Sequence, residues 1–150
     1  MSCGDDESGS PSLMANHPAA KGLAALRAGD PRGALGWFDR LVELEPSGVP
    51  GHFLRAEALD RLGDVAGLRT LLDDLLRRFP FAEGACRERL ALLDLREGNR
   101  TAALAELERA VAAGWSNVEA LAASPSGETL ASDPAFAALF ERARANRATE

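Results

Sequence analysis

The residue types that most often carry out catalysis or bind metals are sparse in this sequence and poorly spaced for either task. The two histidines are His17 and His52, and two ligands without a third make a poor zinc site. Asp73 and Asp74 are adjacent, so on a helix they point in different directions and favour a solvated face over an acid–base pair. No glycine-rich phosphate-binding loop occurs in the sequence. We therefore expect a protein that is not an enzyme and has no metal or cofactor, with both histidines at the surface or capping a helix.

Three arginines recur at a position that could bind anions. Arg27, Arg61 and Arg96 each stand two residues before a glycine of a predicted turn. As a row of guanidinium groups, they would pair with the carboxylates of a partner. An arginine in the last turn of a helix also offsets the helix dipole without any partner. Both interpretations are open at the level of the sequence.

The turns that follow those arginines define an internal repeat. A glycine followed by an aspartate or asparagine recurs with spacings of 34 and 35 residues. The three occurrences are Gly29-Asp30, Gly63-Asp64 and Gly98-Asn99. Glycine adopts the left-handed conformation that ends one helix, and aspartate or asparagine caps the next. Two helices joined by so short a turn lie antiparallel, so the sequence predicts helical hairpins of about 34 residues.

The composition favours helices over strands throughout the chain. The 150 residues include no isoleucine and no tyrosine, and valine and threonine together supply nine, although strands are usually rich in these four types. Alanine and leucine dominate, and both favour helices. The hairpin helices are expected over residues 15–27, 31–44, 50–62, 65–79, 82–97 and 100–113. The alanine excess, with sixteen arginines against one lysine, is typical of a GC-rich bacterial genome.

The repeat resembles that of the tetratricopeptide repeat family. That family has a small residue midway along the first helix, an alanine and a large apolar residue on the second, and a closing proline. The corresponding residues are Gly22, Ala34, Phe38 and Pro46, then Ala56, Leu68, Leu72 and Pro80, then Ala91, Ala103, Leu107 and, in place of the proline, Trp115. The resemblance covers about residues 15–115. It implies an all-α fold in which three hairpins stack as a right-handed α-solenoid, followed by C-terminal capping helices.

The predicted domain organisation follows from these repeats. A tail over residues 1–14 precedes a repeat region over residues 15–122, and residues 123–150 follow it. The repeats are expected at about residues 15–48, 49–82 and 83–116, with a short helix after the third.

The C-terminal segment is predicted to cover the last apolar surface of the repeats, as terminal repeats require. Ser116 followed by Glu119 fits a capping box for the short helix. The run from Ser124 to Gly127 predicts a loop. Asp133 is then expected to start the final capping helix, which should extend to about Arg147.

The first 14 residues are predicted to form a disordered acidic tail. Within it, the run that begins at Cys3 resembles the start of a mature bacterial lipoprotein, in which the first cysteine carries lipid. That alternative, a lipid-anchored periplasmic protein, needs a true start and a signal peptide upstream, because no apolar segment precedes Cys3. The default expectation is a cytoplasmic protein, since Cys3 and Cys86 do not make a disulfide framework.

The charge and hydropathy of the chain exclude several classes of partner. Its formal net charge is −6, whereas nonspecific nucleic-acid binders are basic. Charge alone would also not hold such a protein on anionic lipid. No apolar run reaches about 18 residues, so we expect no transmembrane segment.

The resemblance also implies a function, because the first helices of this family line a concave groove that binds peptides or partner helices. The residues projected to line that groove are Leu23, Arg27, Phe53, Glu57, Arg61, Glu88, Leu92 and Arg96. We therefore expect a non-catalytic interaction module or adaptor whose partner is another protein or peptide, with an acidic partner as one option. Two alternatives stay open: an envelope-assembly component anchored by lipid at Cys3, and a structural subunit of a larger complex.

Overall fold

The computed structural model describes residues 15–149, and in this range the chain is helical and has no strand. Its α-helices are α1 (Pro18–Arg27), α2 (Pro31–Leu44), α3 (Val49–Leu62), α4 (Val65–Arg78), α5 (Glu83–Arg96), α6 (Arg100–Ala112), α7 (Val118–Ala123), α8 (Pro125–Leu130) and α9 (Pro134–Ala148), and a 3-10 turn at Pro80–Ala82 precedes α5. The predicted all-α class is confirmed. The tail over residues 1–14, including Cys3, lies outside the described range. None of the described helices is long and apolar enough to cross a membrane.

The chain divides into two compact units, with the boundary between Leu68 and Arg69. In the first unit, α2 packs against both α1 and α3. In the second, α5 packs against α6, and α9 packs against α6 and α7. The short helices α7 and α8 pack against each other, and α8 also contacts α5.

The turns between paired helices have the chemistry that the sequence predicts. The φ angles of Gly29, Gly63 and Gly98 are 80°, 78° and 79°, in the left-handed region that only glycine enters at little cost. The next residue in each turn caps the following helix by accepting a hydrogen bond from a backbone N–H. These bonds are Gly33 to Asp30 at 2.9 Å, Gly67 to Asp64 at 2.9 Å and Ala102 to Asn99 at 3.1 Å.

The core of the first unit depends on a close approach of two helices. Gly22 of α1 lies against the ring of Phe38 of α2, and a Cβ atom added at Gly22 would overlap that ring. Phe38 and Ala34 are fully buried, and Leu26 and Ala58 belong to the same cluster. The small residue on the first helix therefore makes room for the large apolar residue on the second.

The core of the second unit is larger and draws on five helices. Its cluster of buried residues comprises Ala91, Ala103, Leu107, Ala110, Val111, Trp115, Val118, Leu121, Leu130, Phe136, Leu139, Phe140 and Ala143. Asn146 of α9 fastens the end of α6, because its Nδ2 donates to the carbonyl oxygens of Val111 at 2.9 Å and Trp115 at 3.0 Å. These bonds tie α9 to the end of α6 and to the segment that follows it.

The C-terminal segment corrects two predictions. The run from Ser124 to Gly127 is not a loop but the start of α8, with Ser124 as its N-cap. The Ser124 hydroxyl accepts a hydrogen bond from the Gly127 N–H at 3.1 Å, and Pro125 occupies the first helical position, where proline needs no N–H partner. Helix α7 begins after Asn117, so the capping box predicted at Ser116 is wrong by one residue.

N-cap residues mark the starts of the first and last described helices, α1 and α9. His17 is the N-cap of α1, because its Nδ1 accepts a hydrogen bond from the Ala19 N–H at 3.2 Å. Helix α1 therefore begins at Pro18 rather than near residue 15. Asp133 caps α9 through the Ala135 N–H at 3.0 Å. The predicted final helix is therefore present and extends to Ala148.

Candidate functional site

Two predicted binding residues lie on the solvent side of α1 in the first unit. Leu23 follows the buried Gly22, and its side chain is 38% exposed, which is unusual for a large apolar residue. Arg27 is exposed in the last turn of the same helix and makes no ion pair with any residue in the range 15–149. Helix α1 thus presents an apolar side chain and a cation one turn apart.

Three further predicted residues lie on α3 in the same unit. The Nη1 of Arg61 donates to the carbonyl oxygen of Leu26 at 3.4 Å, and the Nε of Arg61 lies 3.7 Å from the Glu57 carboxylate. Arg61 therefore stabilises the C-terminal end of α1, where carbonyl groups lack partners within the helix. Phe53 is partly buried, so it is neither a fully buried core residue nor a fully exposed one.

The remaining predicted residues lie on α5 in the second unit, at a spacing of four that places them on one helix face. Arg96 is exposed in the last turn. Leu92 is partly buried and packs against the core cluster of this unit. Glu88 is partly buried and faces a cleft. Of the three, Glu88 is the residue that a ligand could reach within a concave surface.

The cleft at Glu88 lies between the beginning of α5 and the segment that links α6 to α7. Its volume is about 320 Å³, and it opens to solvent. Phe81 forms part of its lining and is 80% exposed, while Trp115 forms another part and is 5% exposed. Gly84 and Asn117 also line it. We refer to this space as the Glu88 cleft.

The backbone around Trp115 explains how a tryptophan fits at this position. Gly114 has a φ of 95°, so the chain turns sharply after α6. The Trp115 N–H then donates to the Ala110 carbonyl at 2.9 Å. A Cβ added at Gly84 would lie 3.3 Å from the Cβ of Trp115, so the start of α5 closely approaches this residue. Because Gly84 has no side chain, the start of α5 can pack closely against Trp115 at one wall of the Glu88 cleft.

The acidic side chain of the Glu88 cleft has no cation paired with it among the described residues. Burial raises the pKa of Glu88, and the Trp115 indole, the Asn117 amide and the neighbouring Arg89 lower it only in part. The Nδ2 of Asn117 donates to the Glu88 carboxylate at a long 3.4 Å. The buried indole N–H of Trp115 faces the same carboxylate and lowers its pKa, although the contact does not reach full hydrogen-bond geometry. Glu88 makes no ion pair with any described residue of the chain.

A second cleft lies in the first unit beside Trp37 on α2. Its volume is about 360 Å³, and Gly33 and Gly36 leave it shallow by contributing no side chains. Trp37 is 37% exposed. Asp39 of its lining forms an ion pair with Arg55 at 2.8 Å, so this acid already has a cationic partner.

The cysteine and the two histidines of the described range line neither cleft. Cys86 is fully buried, and burial raises the pKa of its thiol to about 11, so the reactive thiolate is rare at neutral pH. His52 is 1% exposed, and its Nε2 donates to the Pro46 carbonyl at 2.9 Å, which corrects the surface position expected for it. Within residues 15–149, no three or more side chains of metal-binding type lie together.

The sequence missed Phe81, Trp115 and Asn117 as lining residues of the Glu88 cleft. The sequence contained one signal for this cleft: Trp115 stands where the repeat pattern expects a proline, and a large aromatic residue at a turn can line a surface.

Comparison with known proteins identifies no family, because no family model and no curated protein matches the chain.

Proposed function

We propose that this chain is a non-catalytic protein-interaction module, built as a tetratricopeptide-like right-handed solenoid, that binds a peptide or partner helix along the first helices of its hairpins. The observation that carries the proposal is the open Glu88 cleft. One wall of that cleft is α5, a first helix, and its lining includes Glu88, which the resemblance to the tetratricopeptide repeat family projects onto the binding groove. A cleft of this kind positions a partner side chain without any catalytic group.

The burial pattern supports the repeat on which this proposal rests. Positions that correspond in the three repeats are buried alike: Gly22, Ala56 and Ala91 on first helices, and Ala34, Leu68 and Ala103, then Phe38, Leu72 and Leu107, on second helices. The left-handed glycine recurs after each first helix. Stacked repeats bury an apolar stripe in this way because one hairpin cannot cover its own stripe.

The first helix of the first unit adds an apolar contact surface of the same type. Leu23 is exposed next to the buried Gly22, and Arg27 lies one turn further along α1. Interfaces are enriched in arginine and in exposed apolar residues that become buried on binding. Since the chain carries a net charge of −6, and Arg61 is bonded to Leu26, charge favours a basic partner over the acidic one first considered.

A selection from a random peptide library on the full-length protein tests this function. Enriched peptides would be synthesised, and their affinities for the protein measured by fluorescence polarisation. A Leu23→Asp, Glu88→Lys double variant should weaken binding by about tenfold or more, as expected when a contact residue of an interface is lost. Circular dichroism would establish that the variant stays helical.

A matched double variant on surfaces outside the first helices serves as the control. Glu108 of α6 and Arg142 of α9 are exposed, and Glu108→Lys with Arg142→Asp makes similar charge changes. We expect it to bind the selected peptides within about twofold of the wild type, as rim and remote charges usually do. If no peptide is enriched above an unrelated protein, or both double variants bind equally well, the interaction-module proposal is wrong.

A further inference from the structure

The geometry points to the Glu88 cleft as a receptor for an arginine side chain of the partner, whose guanidinium group would pair with the Glu88 carboxylate and stack on Phe81. This inference rests on the proposed interaction function and names the chemistry of the partner. Its starting observation is a carboxylate that lines a cleft of about 320 Å³ without a cationic partner among residues 15–149.

Four other carboxylates of the second unit have cationic partners. Glu83 and Glu106 share Arg87 at 2.8 and 2.9 Å. Asp94 and Glu97 share Arg69, at 2.7 and 2.6 Å. Burying a carboxylate without a paired cation is unfavourable, so buried acids are normally paired, as Asp94 and Glu106 are. Glu88 instead has a long amide contact to Asn117 and the facing indole N–H of Trp115.

The shape and chemistry of the cleft favour a guanidinium over a simple ammonium. Phe81 is 80% exposed at the cleft, and the planar guanidinium stacks on aromatic faces as well as donating several parallel hydrogen bonds. Gly84 and Ala85 of the lining leave space for the long aliphatic stem of the side chain. A carboxylate, an aromatic face and a small-residue wall together match the three parts of an arginine side chain.

The buried indole N–H of Trp115 is coupled to the Glu88 carboxylate. Trp115 is 5% exposed, and its Nε1 faces that carboxylate without reaching full hydrogen-bond geometry. Tryptophan usually completes a hydrogen bond from this group when buried. A guanidinium that draws the Glu88 carboxylate into the cleft orders that carboxylate next to the indole, so occupancy of the cleft changes the environment of this N–H.

Titration of the full-length protein with N-acetyl-arginine amide tests the inference, with the indole N–H signals observed by ¹H–¹⁵N NMR. The Trp115 signal should shift in a saturable manner, while the signal of Trp37 in the other unit provides an internal reference. N-acetyl-norleucine amide, which lacks the charge, should not shift Trp115. N-acetyl-lysine amide should bind more weakly than the arginine compound.

Two variants assign the interaction to the cleft. Glu88→Gln keeps the size of the side chain and should weaken N-acetyl-arginine amide by about tenfold or more, the usual worth of a hydrogen bond to a charged group. Phe81→Ala removes an exposed ring and should weaken it by about two- to fivefold. Glu108→Gln, the same change at an exposed position of α6, should leave it within twofold.

The inference is overturned if the Trp115 signal does not respond, if the norleucine or lysine compound binds as well as the arginine compound, or if Glu88→Gln binds as tightly as the wild type. These outcomes can be separated from failure of the proposed function. Selected peptides that lack arginine and ignore Glu88→Gln contradict only the inference. Saturable binding of N-acetyl-arginine amide with no selected peptide contradicts only the interaction function.

Discussion

Each of the two units contains a tryptophan that lines a cleft, and these two clefts differ in how their charged groups are paired. In the first unit, Trp37 is partly exposed, Lys21 lies 5.9 Å from its ring centroid, and Asp39 of the cleft is paired with Arg55. In the second unit, Trp115 is buried with its indole N–H facing the Glu88 carboxylate, which has a long amide contact but no ion pair with a described residue. The clefts have similar volumes, so volume does not distinguish them.

From this difference we propose that an unpaired charged group, rather than space, marks the binding site. A cleft whose charges are already paired gains little from a charged ligand, because the ligand must displace an existing partner. A cleft with an unpaired, partly desolvated acid gains both a charge-assisted hydrogen bond and relief from poor solvation. Trp115 and Trp37 should therefore differ in how much their removal changes stability.

The largest expected effect comes from truncating the two tryptophans. Trp115→Ala removes a buried ring from the core cluster and should lower the free energy of unfolding by about 3–5 kcal/mol. Trp37→Ala removes a partly exposed ring with one cation–π contact and should lower it by about 1 kcal/mol or less. Urea denaturation followed by circular dichroism measures both. Equal losses would contradict the distinct roles assigned to the two side chains.

The next effect compares two glycines in the first unit. At Gly22 a Cβ would overlap the ring of Phe38, whereas at Gly36, beside Trp37, it would meet no atom within 4 Å. Gly22→Ala should therefore destabilise the fold by about 1–3 kcal/mol through overpacking. Gly36→Ala should stabilise it by about 0.5–1 kcal/mol, since alanine is the better helix former.

Thermal unfolding of the two glycine variants gives the answer directly. Opposite shifts in melting temperature would support a first unit held by the α1–α2 contact, with the cleft beside Trp37 only a surface feature. A neutral or stabilising Gly22→Ala would mean that Phe38 moves aside freely, and the close approach of α1 and α2 would then not be a structural requirement.

Most of the fold is predictable because its signals are local. Each hairpin turn needs only a left-handed glycine and a capping side chain, and both occur together at Gly29-Asp30 and at its two repeats. Helix α8 was missed because its first residues are turn formers by composition. The order of those residues decides: Ser124 is a good cap, Pro125 fits the first position, and a side chain at Gly127 would overlap the Leu121 carbonyl.

The candidate site is only partly predictable for a related reason. Glu88 follows from the resemblance to the tetratricopeptide repeat family, which projects residues of the first helices onto a groove. Phe81, Trp115 and Asn117 lie in segments between helices, where no period predicts which side chains meet. The burial of His52 was also missed, since its partner is the Pro46 carbonyl in the preceding turn, and a residue type alone does not reveal such a partner.

The smallest expected effect is on stability at the Glu88 cleft. Because burial raises the pKa of Glu88 above its value in the unfolded chain, the folded protein binds more protons in the interval between the two pKa values. The free energy of unfolding therefore falls as the pH rises through that interval. At neutral pH the ionised carboxylate is destabilising, with Trp115, Asn117 and Arg89 offsetting only part of the effect.

Glu88→Gln should accordingly raise the melting temperature at pH 7, and this gain should shrink as the pH falls into the ordinary range for glutamate, where the wild-type carboxyl is also neutral. The exposed Glu108→Gln provides the reference for loss of one negative charge. A Glu88→Gln protein that is less stable than the wild type at pH 7 would show that the carboxylate holds the fold together. A substitution that stabilises the fold and weakens arginine-amide binding identifies a binding residue, because loss of side-chain contacts at a packing residue usually destabilises the fold.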